Sequence, residues 1–194
     1  MTDTEAPVAK MFALNTAGHE LTIMHDDGPY RHIRMARPGT GIYRYDLITW
    51  PGHLAVGGDM DYYVFSRIDD MFAFFRGHAI NPQYWAEKVK DEPKRATSYS
   101  EDMFKKLVDE HLADLAEGDL TDEQREARDE VIERVKDGAY HEEDARDILR
   151  DAERSGLFSG TWEWDLHDWD WHFLYCLNAI VAGIKAYDAA KVAA

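Results

Sequence analysis

Two histidines and two aspartates lie within six residues, at positions 167 to 172, and form a candidate set of metal ligands. Imidazole nitrogens and carboxylate oxygens suit Zn²⁺ or another divalent ion. The histidines are five residues apart, whereas helical metal motifs such as H-E-x-x-H place them four apart. A loop and helix cap is the simpler interpretation, and a metal-dependent enzyme using His167, Asp168, Asp170 and His172 is kept as an alternative.

Carboxylates crowd the stretch from 119 to 151, where helical periodicity is also present. Residues at i, i+3, i+4 and i+7 share one helix face, so Asp122, Glu126, Asp129 and Glu133 are predicted to stand in a row. Successive members would lie about 5–6 Å apart, comparable to phosphates along a nucleic-acid strand. A basic nucleic-acid-binding protein would be attracted to such an array. The candidate partner-binding residues are Asp119, Asp122, Glu123, Glu126, Asp129, Glu130, Glu133, Asp137, Glu142, Glu143, Asp147 and Asp151.

An alternative for the same stretch is an ordinary solvated helix hairpin. Arginines are interleaved with the acids, and Glu130–Arg134 and Glu142–Arg146 are i, i+4 pairs, each worth about 0.2–0.5 kcal/mol. The excess of charge favours a function. Residues 1–98 have 11 basic and 13 acidic side chains, a net charge of −2, whereas residues 99–194 have 11 and 25, a net charge of −14. Solubility of a small domain needs a net charge of only about 2–8.

The composition of the whole chain excludes several classes of protein. The 194 residues include 22 Lys and Arg against 38 Asp and Glu, a net charge of −16, which disfavours direct binding to nucleic acid or to an anionic membrane. One cysteine excludes a disulfide framework. The N-terminal residues do not resemble a signal peptide, and the longest apolar run, from Phe173 to Tyr187, is too short to span a bilayer. We predict a soluble cytoplasmic protein.

Catalytic signatures are missing from the sequence. It contains no phosphate-binding glycine loop, no nucleophile elbow and no H-E-x-x-H motif. Cys176 lies in an apolar run and is predicted to be a core residue. We therefore predict a protein that is not an enzyme and that needs no cofactor.

The pattern of residues predicts an α+β fold. Alternating segments from Glu20 to Phe65, separated by turns rich in Gly, Pro and Asp, predict four to five short strands, which must pair antiparallel. From Ser66 the period becomes helical, with Asn81-Pro82, Ser100 and Thr121 as helix starts. The last helix is apolar on most sides and is predicted to pack on the sheet. An acidic helical insertion separates the two.

Four of the six tryptophans lie within ten residues, at positions 162, 164, 169 and 171. The first two alternate with acidic residues, which is the period of a strand. If these rings are exposed, they would form a protein-binding surface, for example in a homodimer or larger homo-oligomer. If they are buried, they join the sheet to the last helix.

Two blocks of sequence carry a resemblance to a known group of proteins. The first is Arg37-Pro-Gly-Thr-Gly-Ile-Tyr-Arg-Tyr-Asp-Leu-Ile-Thr-Trp-Pro-Gly-His-Leu54 with Val64-Phe-Ser-Arg-Ile-Asp-Asp-Met-Phe-Ala-Phe-Phe75, and the second joins Trp162-Glu-Trp164 to the stretch from Tyr175 to Asp188. They resemble a family of small accessory proteins of tailed phages and prophages. The resemblance covers residues 20–90 and 160–188. It implies a protein that acts in the cytoplasm of an infected bacterium, and it assigns no site residues.

These observations predict one compact domain with five segments. Residues 1–17 are a flexible N-terminus, 18–90 the antiparallel sheet with short helices, 91–99 a linker, 100–156 the acidic helical region, and 157–194 a Trp-rich segment with the helix that packs back on the sheet. The predicted function is non-enzymatic inhibition of a host protein that has a basic nucleic-acid-binding surface. An anti-defence protein such as an anti-CRISPR, acting through a DNA-mimicking acidic surface, is the form we expect.

Overall fold

A five-stranded antiparallel sheet organises the computed structural model, which describes residues 4–90, 93–115 and 120–193. Each strand pairs with the next along the chain, so the sheet is a simple meander. Gly28 and Gly52 take positive φ angles of 57° and 80° in the tight turns after the first and third strands. The strands are β1 (Glu20–Asp27), β2 (Tyr30–Ala36), β3 (Tyr45–Trp50), β4 (His53–Gly58) and β5 (Tyr63–Ser66).

Helices make up most of the remaining described chain, which confirms the predicted α+β class. They are α1 (Glu5–Thr16), α2 (Met71–Phe75), α3 (Pro82–Ala86), α4 (Glu101–Ala113), α5 (Asp122–Asp137), α6 (Glu142–Arg154) and α7 (Trp171–Ala193). None of the helices in the described part of the chain combines the length and apolar character needed to cross a membrane.

The inner face of the sheet is covered by α7. Side chains alternate along the strands, and Ile33, Leu47 and Leu54 are fully buried on this face. Phe173 of α7 packs edge-on against Tyr63, with ring centroids 5.3 Å apart. The prediction that the last helix packs back on the sheet is therefore confirmed.

Gly183 lets α7 approach the sheet closely. A Cβ at this position would lie 2.7 Å from Cδ1 of Leu47 and 3.5 Å from Cε2 of Tyr45. Both neighbours are buried, so they have little room to withdraw. A residue without a Cβ is required here by packing, since a helical backbone by itself would accept any side chain.

We expect Gly183→Ala to lower the free energy of unfolding by about 1–2 kcal/mol. Overpacking a core costs about 1–3 kcal/mol, which exceeds the gain of up to about 1 kcal/mol from the better helix propensity of alanine. Urea unfolding measures the change. In a Leu47→Ala background the same substitution should have no further cost, because the contacting methyl group is gone. A more stable Gly183→Ala protein would contradict the close contact.

The N-terminal residues differ from the prediction. Residues 1–17 were expected to be flexible, but Glu5–Thr16 form α1, which packs on α7. Val8 and Phe12, one helical turn apart, are buried, and the Phe12 ring lies 5.0 Å from that of Tyr175. Met11 and Leu14 are apolar but exposed, so the sequence shows no one-sided apolar stripe, and the helix depends on α7 for its stability.

The described chain forms two compact units, each with its own core. We call Ser98–Asp168 the helical unit, and residues 4–97 with 169–193 the sheet unit. The chain passes between them in β6 (Thr97–Tyr99) and β7 (His167–Trp169), which form a two-stranded sheet. The helical unit is therefore an insertion between two parts of the sheet unit, whereas the sequence predicted one compact domain.

The boundaries of the insertion also differ from the predicted segments. The chain enters the helical unit within the predicted linker 91–99, but the unit continues beyond 156 to Asp168. The reason is packing, because Leu157, Phe158 and Leu166 are buried in the core of this unit. Hydrophobic residues after the last acidic helix therefore belong with it and not with the Trp-rich segment.

Helix starts follow the predicted capping residues with one exception. The side chains of Asn81, Ser100 and Thr121 accept hydrogen bonds from the first turns of α3, α4 and α5. The exception is α2, which was expected to begin after Ser66. Its cap is Asp70, which accepts a hydrogen bond from the backbone N–H of Phe72.

Candidate protein-binding surface

Helix α5 of the helical unit has two opposite faces. A capping box begins it, since the side chain of Thr121 accepts from the Gln124 N–H and that of Gln124 accepts from the Thr121 N–H. Val131 and Val135 lie in the core of the unit. With about 100° of rotation per residue, a single row of acids projects from the opposite side. We call this the acidic row, and its members are Asp122, Glu126, Asp129 and Glu133.

All four side chains of the acidic row are exposed. From Asp122 to Glu133 the row is about 16 Å long, at about 1.5 Å of rise per residue. Asp122 is hydrogen-bonded to Arg125 at 2.6 Å and Asp129 to Arg128 at 3.1 Å. Glu126 and Glu133 have no ion pair within the described residues. Along the row, two uncompensated carboxylates thus alternate with two that are partly neutralised.

Two exposed acids of α6, Asp147 and Asp151, are neutralised by arginine. Arg150 lies 2.8 Å from Asp147, while Arg154 and Arg134 lie 3.0 and 2.9 Å from Asp151. The hydrogen bond from Arg134 of α5 is the main cause that lowers the pKa of Asp151. This carboxylate therefore joins the two helices and is less available to a partner.

The other candidate partner-binding residues are placed differently from one another. Glu142 is half-buried and bonded to Arg146 at 3.1 Å, with His167 at 3.4 Å, so it holds local structure together. Glu130 lies 3.6 Å from Arg134. Asp119 lies outside the described residues. Those that are exposed, with no ion pair within the described part of the chain, are Glu123, Asp137 and Glu143.

Nearly all of the net charge of the protein belongs to the helical unit. Residues 98–168 contain 23 acidic and 9 basic side chains, a net charge of −14, out of −16 for the whole chain. The sheet unit pairs many of its acids with arginine, as in Arg34 with Asp46 at 2.7 Å and Arg76 with Asp188 at 2.7 Å. The charge is thus a property of one separately folded unit and is not spread over the protein.

The four residues of the metal alternative serve other roles. His167 lies 3.0 Å from Asp165, and Asp170 begins α7 by accepting from the backbone N–H groups of His172 and Phe173. Asp168 is buried. Within the described ranges, no three His, Cys, Asp or Glu side chains are grouped so that they could hold a metal ion. The described residues therefore do not support the metal-dependent alternative.

The tryptophan cluster is divided by the fold. Trp164 stacks on His111, with centroids 3.9 Å apart, and packs on the core of the helical unit, while Trp169 and Trp171 pack on that of the sheet unit. Trp162 alone is exposed, at 75%. The segment around it is a 3-10 turn, Thr161–Glu163, and not the strand that its alternation suggested. A Trp-rich interface of four rings is therefore not presented.

Cys176 is fully buried in α7, and its thiol contacts the carbonyl of Asp61 at 3.5 Å. Burial raises the pKa of the Cys176 thiol, which suppresses the nucleophilic thiolate. This is the packing role that its apolar neighbours in the sequence indicate.

No family model, curated protein or solved structure matches this chain. The resemblance to phage accessory proteins consequently stays a prediction. The surface itself is therefore what bears on function, since a fold does not determine an activity.

Sequence reasoning did not find one feature of the helical unit, a groove between α4 and α5. It is lined by apolar residues from both helices, among them Val108 and Ile132. A signal was present, because Val108 and Leu112 are four residues apart, as are Val131 and Val135. Periodicity alone cannot show that two apolar stripes leave a space between them.

Proposed function

We propose that the helical unit binds a basic surface of another protein, one that handles nucleic acid, and blocks or modulates it without catalysis. The sheet unit is the scaffold into which the helical unit is inserted. In the context that the phage resemblance implies, the target is a defence protein in the cytoplasm of the infected bacterium, and the protein acts as an anti-CRISPR or a related inhibitor.

The observation that carries this proposal is the exposed acidic row on a unit of net charge −14. Its members follow one another at about 5–6 Å, a spacing that a surface made for phosphates can accept. Many weak contacts of this kind add up, because each exposed pair contributes only about 0.2–1 kcal/mol. Electrostatic attraction would also speed the encounter.

Reversal of the acidic row is the direct test. Changing Asp122, Glu126, Asp129 and Glu133 to lysine is expected to weaken binding of the target about 30-fold, at roughly 0.5 kcal/mol per charge. The target is first captured from a lysate of the bacterium that carries the gene, at low and at high salt, and is identified by mass spectrometry. Its affinity for both forms is then measured, together with competition by duplex DNA.

A matched control reverses four exposed acids of the sheet unit, Glu5, Glu20, Asp27 and Asp69, to lysine. This variant has the same change in net charge and is expected to bind the target nearly as well as the unaltered protein. Equal loss in both variants would mean that net charge alone acts. Unchanged binding after reversal of the acidic row, or a target whose binding is insensitive to salt and DNA, would refute the proposal.

A further inference from the structure

A groove of about 360 Å³ lies between α4 and α5, beside the acidic row. Val108 and Val135 are buried at its floor, while Leu112 and Ile132 are half-buried and form its sides. On α4 the lining residues run over eight positions, from 105 to 112, which is about 10 Å or two helical turns. The groove is therefore an apolar slot of the length that two turns of a bound helix would cover.

Acidic side chains border this slot. Asp109 of α4 lines it, and Asp102 lies two turns earlier on the same face of the helix. On α5, Asp129 of the acidic row lies one helical turn before Ile132, and Glu133 directly follows Ile132 in the chain. All four are exposed. An apolar slot with negative charge on both sides complements a segment that is apolar on one side and basic on its flanks.

Two lysines also line the groove, at one end. Lys105 is bonded to Glu101 at 2.8 Å, and its pKa is raised chiefly by this hydrogen bond, with a further contribution from the charge of Asp102. Its charge is therefore compensated within the protein. Lys136 lies in the last turn of α5, and the hydrogen bond from the Ala139 N–H to Glu101 brings the chain just after this turn to the start of α4. Positive charge at this end suits the carboxyl end of a bound helix, which has a partial negative charge.

We propose that the groove binds the apolar face of a basic amphipathic helix in the target protein. This inference rests on the proposed function, because it specifies the chemistry of the partner. Apolar residues of the partner at i, i+3 or i+4, and i+7 enter the slot, and its lysines or arginines contact the acidic row. Apolar burial then supplies an affinity that salt does not screen, and the charges supply selection for a basic partner.

The test uses synthetic helical peptides of about 16 residues, long enough to form helix on binding. The first has leucines at i, i+4 and i+7 and lysines on its flanks. The second has glutamine in place of each leucine, and the third keeps the leucines but has glutamine in place of each lysine. Fluorescence anisotropy measures binding of each at about 0.05 M and about 0.5 M salt.

We expect the first peptide to bind about tenfold more tightly than the second, and to lose only part of its affinity at high salt. Leu112→Gln with Ile132→Gln should abolish this tenfold preference while leaving the salt-sensitive binding of both lysine peptides. Reversal of the acidic row should abolish the salt-sensitive binding of the lysine peptides while leaving the preference for leucine over glutamine. Equal binding of the first two peptides overturns the groove but leaves the proposed function standing. If the third peptide binds as well as the first, basic residues are not needed for binding, and the inference of a basic partner is overturned.

Absence of salt-sensitive binding by either lysine peptide would overturn the proposed function together with this inference. Methyl NMR of the unaltered protein keeps the test independent of how the variants fold. The first peptide should shift the methyl resonances of Leu112, Ile132 and Val135 at the groove. The resonances of Leu149, a residue of α6 that is buried in the core of the helical unit, should not shift. Shifts at Leu149 without shifts at the groove would contradict the proposed location.

Discussion

Replacing Phe173 by alanine is expected to lower the free energy of unfolding by about 4 kcal/mol, the largest effect of any single change considered for this protein. The ring is fully buried between α7 and the sheet, and it contacts Tyr63 at 5.3 Å and Trp169 at 5.9 Å between centroids. Its removal loses apolar burial and leaves a cavity that rigid aromatic neighbours cannot fill. Urea unfolding, followed by tryptophan fluorescence, measures the change.

Ile42→Ala is the control for this measurement. Ile42 is also a large apolar residue of the sheet unit, but its side chain is 63% exposed, so the change should stay within about 0.5 kcal/mol. A loss of less than about 1.5 kcal/mol for Phe173→Ala would contradict the packing of α7 on the sheet, because buried Phe→Ala substitutions cost about 3–5 kcal/mol.

Removing the carboxylate of Asp70 is expected to lower the free energy of unfolding at neutral pH by about 3 kcal/mol. Asp70 caps α2, a contribution of about 1 kcal/mol. It also accepts two hydrogen bonds from Arg31, at 2.9 and 3.1 Å, and the Arg31 side chain is only 10% exposed. Asp70→Ala leaves this guanidinium with the more distant Asp26, at 3.9 Å, and incomplete compensation of a buried charge accounts for the remainder.

The same substitution has a definite pH dependence. Burial alone would raise the pKa of Asp70, but the hydrogen bonds and charge of Arg31 outweigh it and hold that pKa below its usual value. A carboxyl group with a lowered pKa in the folded state stabilises the fold above the unfolded pKa of about 4. This stabilisation disappears as pH falls below that value. The difference between the unaltered protein and Asp70→Ala should therefore shrink from pH 7 to pH 3.

Asp69→Ala is the matched control. Asp69 is the preceding residue, is exposed, and has no side-chain ion pair among the described residues. Its removal should change the free energy of unfolding by less than about 0.5 kcal/mol, with no trend in pH. An equal effect of both substitutions would show that general charge, and not the pairing with Arg31, stabilises this part of the sheet unit.

The sheet could be predicted because its signals are local. Turn residues such as Gly28 and Gly52 fix where strands end, and short connections allow only antiparallel pairing. Helix α1 could not, since its stability comes from contact with α7, far along the chain. Trp162 and Trp164 misled in a similar way. Gly160, with φ 67°, begins a 3-10 turn there, and two alternating residues do not specify a strand.

The candidate surface shows the same limit. The acidic row follows from helical periodicity, and its exposure follows from the apolar positions on the other side of α5. Periodicity did not show which of these acids lack an ion pair. Arg134 neutralises Asp151 from another helix, seventeen positions along the chain, and such pairs depend on how α5 packs against α6. Local spacing predicted the array, and tertiary contacts determine how much of its charge is available.

The way the chain leaves and re-enters the sheet unit has an evolutionary consequence. The N–H of Asp170 donates to the carbonyl of Ala96 at 3.0 Å, so the departing and returning strands are neighbours at the junction. Any segment whose two ends lie side by side can be attached there without altering the register of β1 to β5. Recombination could replace the helical unit by one of different shape or charge in a single event. The inserted unit can thus change between related proteins while the sheet unit stays the same.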